Sequence, residues 1–539
     1  MAGDKEKASV RSRRVDDAAV FDDVVEAPVV GTRADQEDMR RMGRKQELNR
    51  LFSVTTLVGY AVMVAMTWPF GMITGAYSLM NGGPAGVVWV FLAVCVGLFT
   101  VVLSMAEMAS IEPTAGGQYH WVSVFAPPKW RKPASYAVGW MCALGWQSYV
   151  PGAANVGATT LQGLGVVANS AYVPKAYQTV LLTILICTLA PVFNTLLARK
   201  LPVIEGCVFA LYIVAFFVFL IVLVAMGEHT PAKTVFTDFQ DNAGWGSIGT
   251  ACFVGITGPV ITLIGSDSAV HLAEELRDAS RNLPRAMLGY TAVNYVLGFS
   301  MLLAFLFVIG DVDAVLASPT GQPWIQVIWD ATGSRAATIV MTALIFFFFF
   351  FASVNTNTTS SRQLFAFARD GGLPYSSWIS RVNPGRHVPL NAVLLTLVIG
   401  SCIAVVPLGS NAAFLNIQTI GNAGLMVSYT ICVAARLHDR NWGPKRVTPP
   451  FNLGHWGGNV LNVLAILFLV VFLVSAMFPG APNPTTESMN WASLALGLTC
   501  LVAGVSYIRL RKNYLARRGA VERVDLHVRP DGKGVKVDV

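Results

Sequence analysis

The 539-residue sequence is poor in charge: Asp, Glu, Lys and Arg supply 13% of it, about half the share of a soluble domain, while 54% is hydrophobic. Its length would serve three or four soluble domains, yet it lacks the polar side chains to cover their surfaces, which excludes a soluble multidomain enzyme. Metal and redox frameworks are missing too. The eight cysteines form no CxxC and the seven histidines lack metal-ligand spacing, so neither a disulfide scaffold nor a zinc site is indicated. There is no P-loop, nucleophile elbow or pair of catalytic carboxylates, which argues against an ATP-driven pump and against an enzyme, and no cofactor is expected. The net charge of +8 would suggest nucleic acid in a soluble chain; where the charges lie decides otherwise.

Half of the charge sits at the two ends. Residues 1–53 carry 11 basic and 11 acidic residues and read as a disordered tail without an apolar leader; residues 509–539 carry 9 and 4 and form a basic tail. Between them, runs of about 20 apolar residues recur, each long enough to cross a bilayer as a helix. Twelve spans are expected, at 54–80, 85–110, 134–160, 175–198, 203–227, 247–275, 286–310, 336–362, 388–407, 410–435, 458–479 and 488–508. Numbered this way, 36 of the 39 Lys and Arg fall on the side of the two tails and only Lys175, Lys233 and Arg335 on the other. The positive-inside rule then puts both termini in the cytoplasm. The fold class is an all-α integral membrane protein with the lipid bilayer as solvent and no nucleic-acid partner.

Helix breaks in lipid are tolerated only where protein or a cavity satisfies the freed backbone, so they point to function. The first span is interrupted at Thr67-Trp68-Pro69-Phe70-Gly71 and the sixth at Gly255 to Pro259 and again at Ile264-Gly265-Ser266-Asp267. Corresponding breaks five spans apart mark an inverted repeat with a binding site between its halves. Free N–H groups at such breaks suit an anionic group and unwound carbonyls a cation, hence a zwitterion or a cationic amine. Ionisable residues inside spans are few and functional by default: Glu107, Glu205, Asp267 and His271, with Glu274 and Glu275 at the mouth. Asp267, one helical turn from His271, is the foremost candidate as amine counter-ion, gate or proton carrier; a buried structural acceptor is the plainer reading. Glu205 and Glu107 lie near span ends, where snorkelling is easy, and remain candidates for a proton relay. The polar run Asn355 to Ser361 in the eighth span either bonds neighbouring helices or lines the cavity, with Thr359 and Ser360 as oxygen ligands for Na⁺.

Several motifs then add up. Ala106-Glu107-Met108-Ala109, Pro113 to Tyr119 (PTAGGQY), Gly265 to Glu275 (GSDSAVHLAEE), Arg281 to Ala286 and Phe367 to Pro374 occur in that order, and residues 51–510 resemble the amino acid–polyamine–organocation transporters. With Gly82 to Gly86 and Thr257-Gly258-Pro259, they look most like the amino acid/choline branch of fungal permeases for choline, γ-aminobutyrate and related amines. The resemblance implies the leucine-transporter fold, ten helices in two inverted five-helix repeats (about 54–227 and 247–435) plus two more (about 458–508). It implies that Thr67 to Gly71 is the carboxylate-binding turn, that Gly265-Ser266-Asp267 faces the amine, and that Thr356 lines the cavity. Two departures stand out: the usual Gly-rich turn is here Trp68-Pro69-Phe70-Gly71, which leaves room for an aromatic wall of Trp68 and Phe70 against a cation, and the fifth span lacks the lysine that some proton-coupled relatives place against the first, Glu205 being the nearest ionisable group. The expected activity is secondary active transport of a small amine-bearing solute by alternating access. H⁺ is the first expectation for the coupling ion and Na⁺ the alternative, in the plasma membrane or else the vacuolar membrane. A nutrient-sensing receptor on the same scaffold, or a carrier of an amine secondary metabolite, is the competing expectation.

Overall fold

Hydrocarbon offers no partner to backbone N–H and C=O groups, so long apolar runs in this chain become helices. The computed structural model describes residues 31–515 except 45, 198, 386, 445, 447 and 487. Its helices are α1 (Arg33–Arg41), α2 (Val54–Ala65), α3 (Thr67–Ser78), α4 (Gly83–Ile111), α5 (Gln118–Phe125), α6 (Arg131–Ala168), α7 (Ala176–Leu196) and α8 (Leu201–Met226). Then follow the short α9 (Ala232–Thr237), α10 (Ile248–Gly255), α11 (Thr257–Leu263), two 3₁₀ stretches (Ser266–Ser268 and Val270–Glu275) and α12 (Ala279–Val308). The chain ends with the short α13 (Val312–Leu316), α14 (Pro323–Thr332), α15 (Arg335–Arg369), the short α16 (Ser376–Ile379), α17 (Leu390–Val405), α18 (Asn411–Trp442), α19 (His455–Ser475) and α20 (Ala492–Leu510). A two-stranded antiparallel ribbon, Asn81–Gly82 with Gln240–Asp241, ties the loop after α3 to the loop before α10.

Eleven candidate spans among the described residues are long and apolar enough to cross a membrane, against the twelve expected. The exception is 134–160, which falls within the 38-residue α6. The cause is packing. α6 lies in the middle of the bundle, most extensively against α15 and α18, and meets protein rather than lipid. Its glycines admit neighbours: a Cβ on Gly139 would lie 2.2 Å from the Phe367 ring and one on Gly145 2.4 Å from Leu425. Small residues that let helices approach lower the apolarity of a helix while strengthening its packing.

The tails also differ from expectation. Residues 31–53 are structured against the bundle, on the face that also carries residues 511–515, hereafter the terminal face; residues 1–30 and 516–539 lie outside the described residues. Thr32 caps α1 through a capping box with Asp35. Asp35, fully buried, pairs with Arg50 at 3.1 Å and accepts the backbone N–H groups of Asp278 and Ala279, at the start of α12. Arg50 donates to the carbonyls of Ala273 and Leu276, and Phe52 forms a parallel bridge with Leu276. Arg44 reaches Asp370 at 2.7 Å; burial works against its charge, but Asp370 together with Tyr119 and Glu274 moves the guanidinium pKa upward. The Leu515 N–H bonds the Asp370 carbonyl at 2.9 Å, so the start of the C-terminal tail docks at the same place. Low hydrophobicity kept this segment from looking foldable by itself, yet the bundle supplies the buried partners that it lacks.

Removing one partner of a buried ion pair leaves an uncompensated charge, which costs about 3–5 kcal/mol. Arg50→Ala should therefore release residues 31–52, raising amide hydrogen exchange there by about two orders of magnitude, measured by mass spectrometry on detergent-purified protein. Unchanged protection of this segment would contradict the reading.

Candidate functional site

The break in the first span lies at Met66, not within Thr67 to Gly71. Met66 takes the left-handed conformation (φ 46°, ψ 47°) between α2 and α3, a strained position for a side chain that larger structure must hold. Thr67, Trp68 and Pro69 form the first turn of α3, where a missing proline N–H costs no helical bond. In the sixth span the Gly255 to Pro259 stretch is only a junction, since Ile256 keeps helical angles (φ −56°, ψ −31°) between α10 and α11. The true interruption follows α11. Gly265 at φ 117° turns the chain where only glycine is comfortable, and the 3₁₀ stretches continue to the terminal face. Thr67 donates to the Thr262 carbonyl at 3.5 Å, and the Thr74 and Thr262 hydroxyls meet at 2.8 Å, so α3 is stapled to α11.

A cavity of 310 Å³ lies between the two breaks. Its walls include the last residues of α2 (Val64, Ala65) with Met66, Ile261 near the end of α11 with Ile264 and Gly265, Phe70 and Thr74 of α3, and Phe349 and Thr356 of α15. α6 contributes Trp146 and Tyr149, and α18 contributes Phe414, Gln418 and Asn422. The C-terminal ends of two half-helices thus converge on one space, each bringing its negative dipole end and its last carbonyls. Tyr290 engages two of those carbonyls, Leu263 at 3.1 Å and Ile264 at 3.2 Å. Among the described residues, no acidic or basic side chain lines the cavity. The Tyr149 hydroxyl donates to Asn422 Oδ1, and the Gln418 side chain, with Nε2 unpartnered, lies over Gly152, where a Cβ would come within 2.5 Å of Gln418 Oε1.

Of the expected site residues, Phe70, Gly265 and Thr356 line this cavity; Thr67, Trp68, Pro69, Gly71, Ser266 and Asp267 do not. Trp68 is a correction to the aromatic wall. It is fully buried in a separate aromatic cluster, with ring centroids 5.0 Å from Phe219, 5.4 Å from Tyr212 and 6.2 Å from Phe348. α3 turns Phe70 toward the cavity and Trp68 away because positions two apart on a helix do not share a face. Trp146, Tyr149, Phe349 and Gln418 were not legible as site residues; the one available signal was the aromatic content of the glycine-rich α6.

Asp267 sits behind the cavity wall, fully buried, and accepts three hydrogen bonds: Gln118 Nε2 at 2.6 Å, Tyr429 Oη at 2.6 Å and Trp146 Nε1 at 3.0 Å. His271 Nε2 lies 3.6 Å away, and His271 Nδ1 meets the Ala115 carbonyl at 2.9 Å. One carboxylate therefore clasps α5, α6, α18 and the 3₁₀ segment under the cavity floor, on the terminal side. Below it Glu274 receives Arg369 at 2.6 Å and the Ala115 N–H at 3.3 Å. This accounts for the PTAGGQ and HLAEE motifs: Gly117, at φ 53°, passes against Val270, where a Cβ would stand 3.0 Å from the side chain, and the two segments lock together. Glu107 is not snorkelling. It is buried and paired with Arg436 at 3.1 Å and with Arg440. The Thr359 hydroxyl meets Tyr60 Oη at 2.6 Å and the Ser360 hydroxyl donates to the Trp146 carbonyl at 2.5 Å.

Asp267→Asn would turn an –NH₂ toward these donors and leave at least one unsatisfied, at about 1–3 kcal/mol. A lower melting temperature of the purified variant is expected; an unchanged one would contradict the clasp.

The profile of the amino acid permease family matches residues 50–502. The choline transporter of Saccharomyces cerevisiae is 30% identical over 457 residues, covering 83% of this chain and 79% of that one. A Macrophomina phaseolina protein provisionally named an amino acid/polyamine transporter is 31% identical over 444 residues, covering 81% and 97%, and the GABA-specific permease of Saccharomyces cerevisiae is 27% identical over 500 residues, covering 89% and 85%. Among solved structures, a manganese transporter mutant of Eremococcus coleocola shares the fold, with a TM-score of 0.53 at 13% identity over 86% of this chain and 95% of that one. Two half-helix ends facing one cavity inside a leucine-transporter-type bundle are thus joined to a sequence match over most of the chain, and the protein belongs to the amino acid permease family.

Proposed function

We propose that this permease carries a small cationic amine, choline being the first to test, by alternating access in symport with H⁺. The observation that carries the reading is the convergence of the α2 and α11 C-terminal ends on a cavity that no charged side chain lines among the described residues. Two negative dipole ends against the one positive end of α3 weigh toward a cation. Phe70, Trp146, Tyr149, Phe349 and Phe414 supply aromatic faces for a quaternary or primary ammonium. Trp146 is also polarised from behind, because its indole N–H donates to Asp267, which brings the carboxylate's influence to the cavity without its exposure. Gln418 Nε2 suits a hydroxyl on the substrate. Relatives named for choline and for GABA agree with a small amine. The asymmetry of 36 basic residues against 3 supports termini in the cytoplasm, and a plasma-membrane location fits an importer of a nutrient amine.

Uptake of a radiolabelled amine panel by permease-deficient cells under an imposed pH gradient tests this. Choline uptake should be saturable and stimulated by external acidity, and Phe349→Ala should raise KM about fivefold, the value of one exposed cation–π contact of about 1 kcal/mol. Asp267→Asn should abolish uptake while still reaching the membrane. Uptake of GABA or an α-amino acid with none of choline would contradict the assignment.

A further inference from the structure

A polar hollow of 430 Å³ lies on the terminal face, apart from the transport cavity. Arg369 and Asp370 at the end of α15, Ser376 and Ser380 of the α16 turn, and Leu510 and Asn513 at the end of α20 wall it. The two segments that form it meet closely. A Cβ on Gly371 would lie 2.8 Å from the Asn513 carbonyl oxygen, and the Leu515 N–H bonds the Asp370 carbonyl at 2.9 Å. Their charge is of one sign: residues 371–385 and 509–515 contain Arg381, Arg509, Arg511 and Lys512, all exposed, and no acidic residue. Arg369 and Asp370 are engaged elsewhere, with Glu274 at 2.6 Å and with Arg44 at 2.7 Å. The four exposed cations therefore set the potential at the mouth, which suits an anion.

The hollow does not end there. Leu373 and Tyr375 line it and also line an apolar groove of 780 Å³, whose walls include Leu144 of α6, Leu395 and Ile403 of α17, and Leu498 and Val502 of α20. Leu498 and Val502 are exposed, so the groove is open along the flank of the bundle that faces hydrocarbon. Its depth follows from α20. Leu510 in the hollow and Leu498 in the groove are twelve residues apart on that helix, about 18 Å at the helical rise, against about 15 Å for the hydrocarbon of one leaflet. Tyr375 and Trp378, both exposed, stand at the junction, where aromatic side chains mark the boundary between headgroups and acyl chains.

A basic cradle at headgroup level joined to an apolar slot one leaflet deep has the shape of an anionic amphiphile. We propose that this site holds one anionic glycerophospholipid of the leaflet on the terminal side, with its phosphate in the hollow and one acyl chain in the groove. A sterol would fill the groove and leave the basic hollow without a counter-charge; a free phosphate ester would do the reverse. The site shares walls with the transport cavity, because Trp146 and Gln418 line the cavity while the adjacent Gln147 and Ile417 line the groove. The proposal goes beyond the transport reading and does not depend on the substrate.

The test uses full-length protein in detergent, read by native mass spectrometry during titration with phosphatidylserine and, in parallel, with phosphatidylcholine of the same palmitoyl and oleoyl chains. One phosphatidylserine per chain should be retained at a concentration more than about tenfold below that needed for phosphatidylcholine. Replacing two of the cations together, Arg511→Ala with Lys512→Ala, should abolish that preference, and Ile399→Trp, which fills the groove, should weaken binding of both lipids. Equal retention of the two lipids by wild-type protein would overturn the proposal, since lipid that merely coats the bundle is not sorted by headgroup. Displacement of bound phosphatidylserine by equimolar glycerophosphoserine or ergosterol would overturn it too, and so would a dimer that excludes the lipid. The location is read on the wild-type protein, whether or not the variants fold. Phosphatidylserine carrying a diazirine near the end of one acyl chain should label the groove-lining peptides of α6, α17 or α20, and labelling confined to other spans would contradict the site.

Discussion

A helix that stops inside a membrane leaves carbonyls and N–H groups that lipid cannot satisfy, and everything else in this protein is arranged around two such stops. At Met66 and at Ile264-Gly265 the chain gives up helical bonds in the core of the bundle. Protein partners take up part of the loss, as the Tyr290 hydroxyl does for Leu263 and Ile264. What remains faces a cavity of 310 Å³. Two C-terminal helix ends and the N-terminal end of α3 face it, and among the described residues no carboxylate lines its wall. On the proposed reading, selectivity for positive charge would follow from backbone direction, and aromatic side chains would refine it.

The two sides of the cavity are held by different kinds of contact. Outward from the cavity, α3 is stapled to α11 through Thr67, Thr74 and Thr262. Toward the terminal face, α2 and the 3₁₀ segment are held by separable polar contacts: the Asp267 clasp, the Glu274–Arg369 pair, and the strap of residues 31–52 with its Asp35–Arg50 and Arg44–Asp370 pairs. Buried ion pairs of this kind add little net stability over apolar packing but are costly to leave half-made.

Much of this was legible in the sequence, for physical reasons that can be named. Span positions followed from apolar runs, and Gly265 with Asp267 marked the sixth-span break because glycine is what a left-handed turn requires. The first-span break was displaced, since Met66 adopts a left-handed conformation without the glycine that would announce it. Pro69 drew the eye instead, although a proline in the first turn of α3 disturbs no bond. α6 fell short of the apolarity of a span because it is wrapped by protein, and residues 31–53 looked disordered because their partners are far away in sequence, 243 positions in the case of Asp35 and Asp278. The facing of side chains was beyond reach: Trp68 and Phe70 are near neighbours in sequence, yet one packs in a remote aromatic cluster and the other lines the cavity.

The central claim, that backbone ends and aromatic faces select a cation, is tested most directly by equilibrium binding to the purified protein. Choline and 3,3-dimethyl-1-butanol have nearly the same shape and differ in charge. Two helix ends and the aromatic contacts together should favour the charged ligand by more than about tenfold. Equal affinities, or a preference for the neutral compound, would contradict the account.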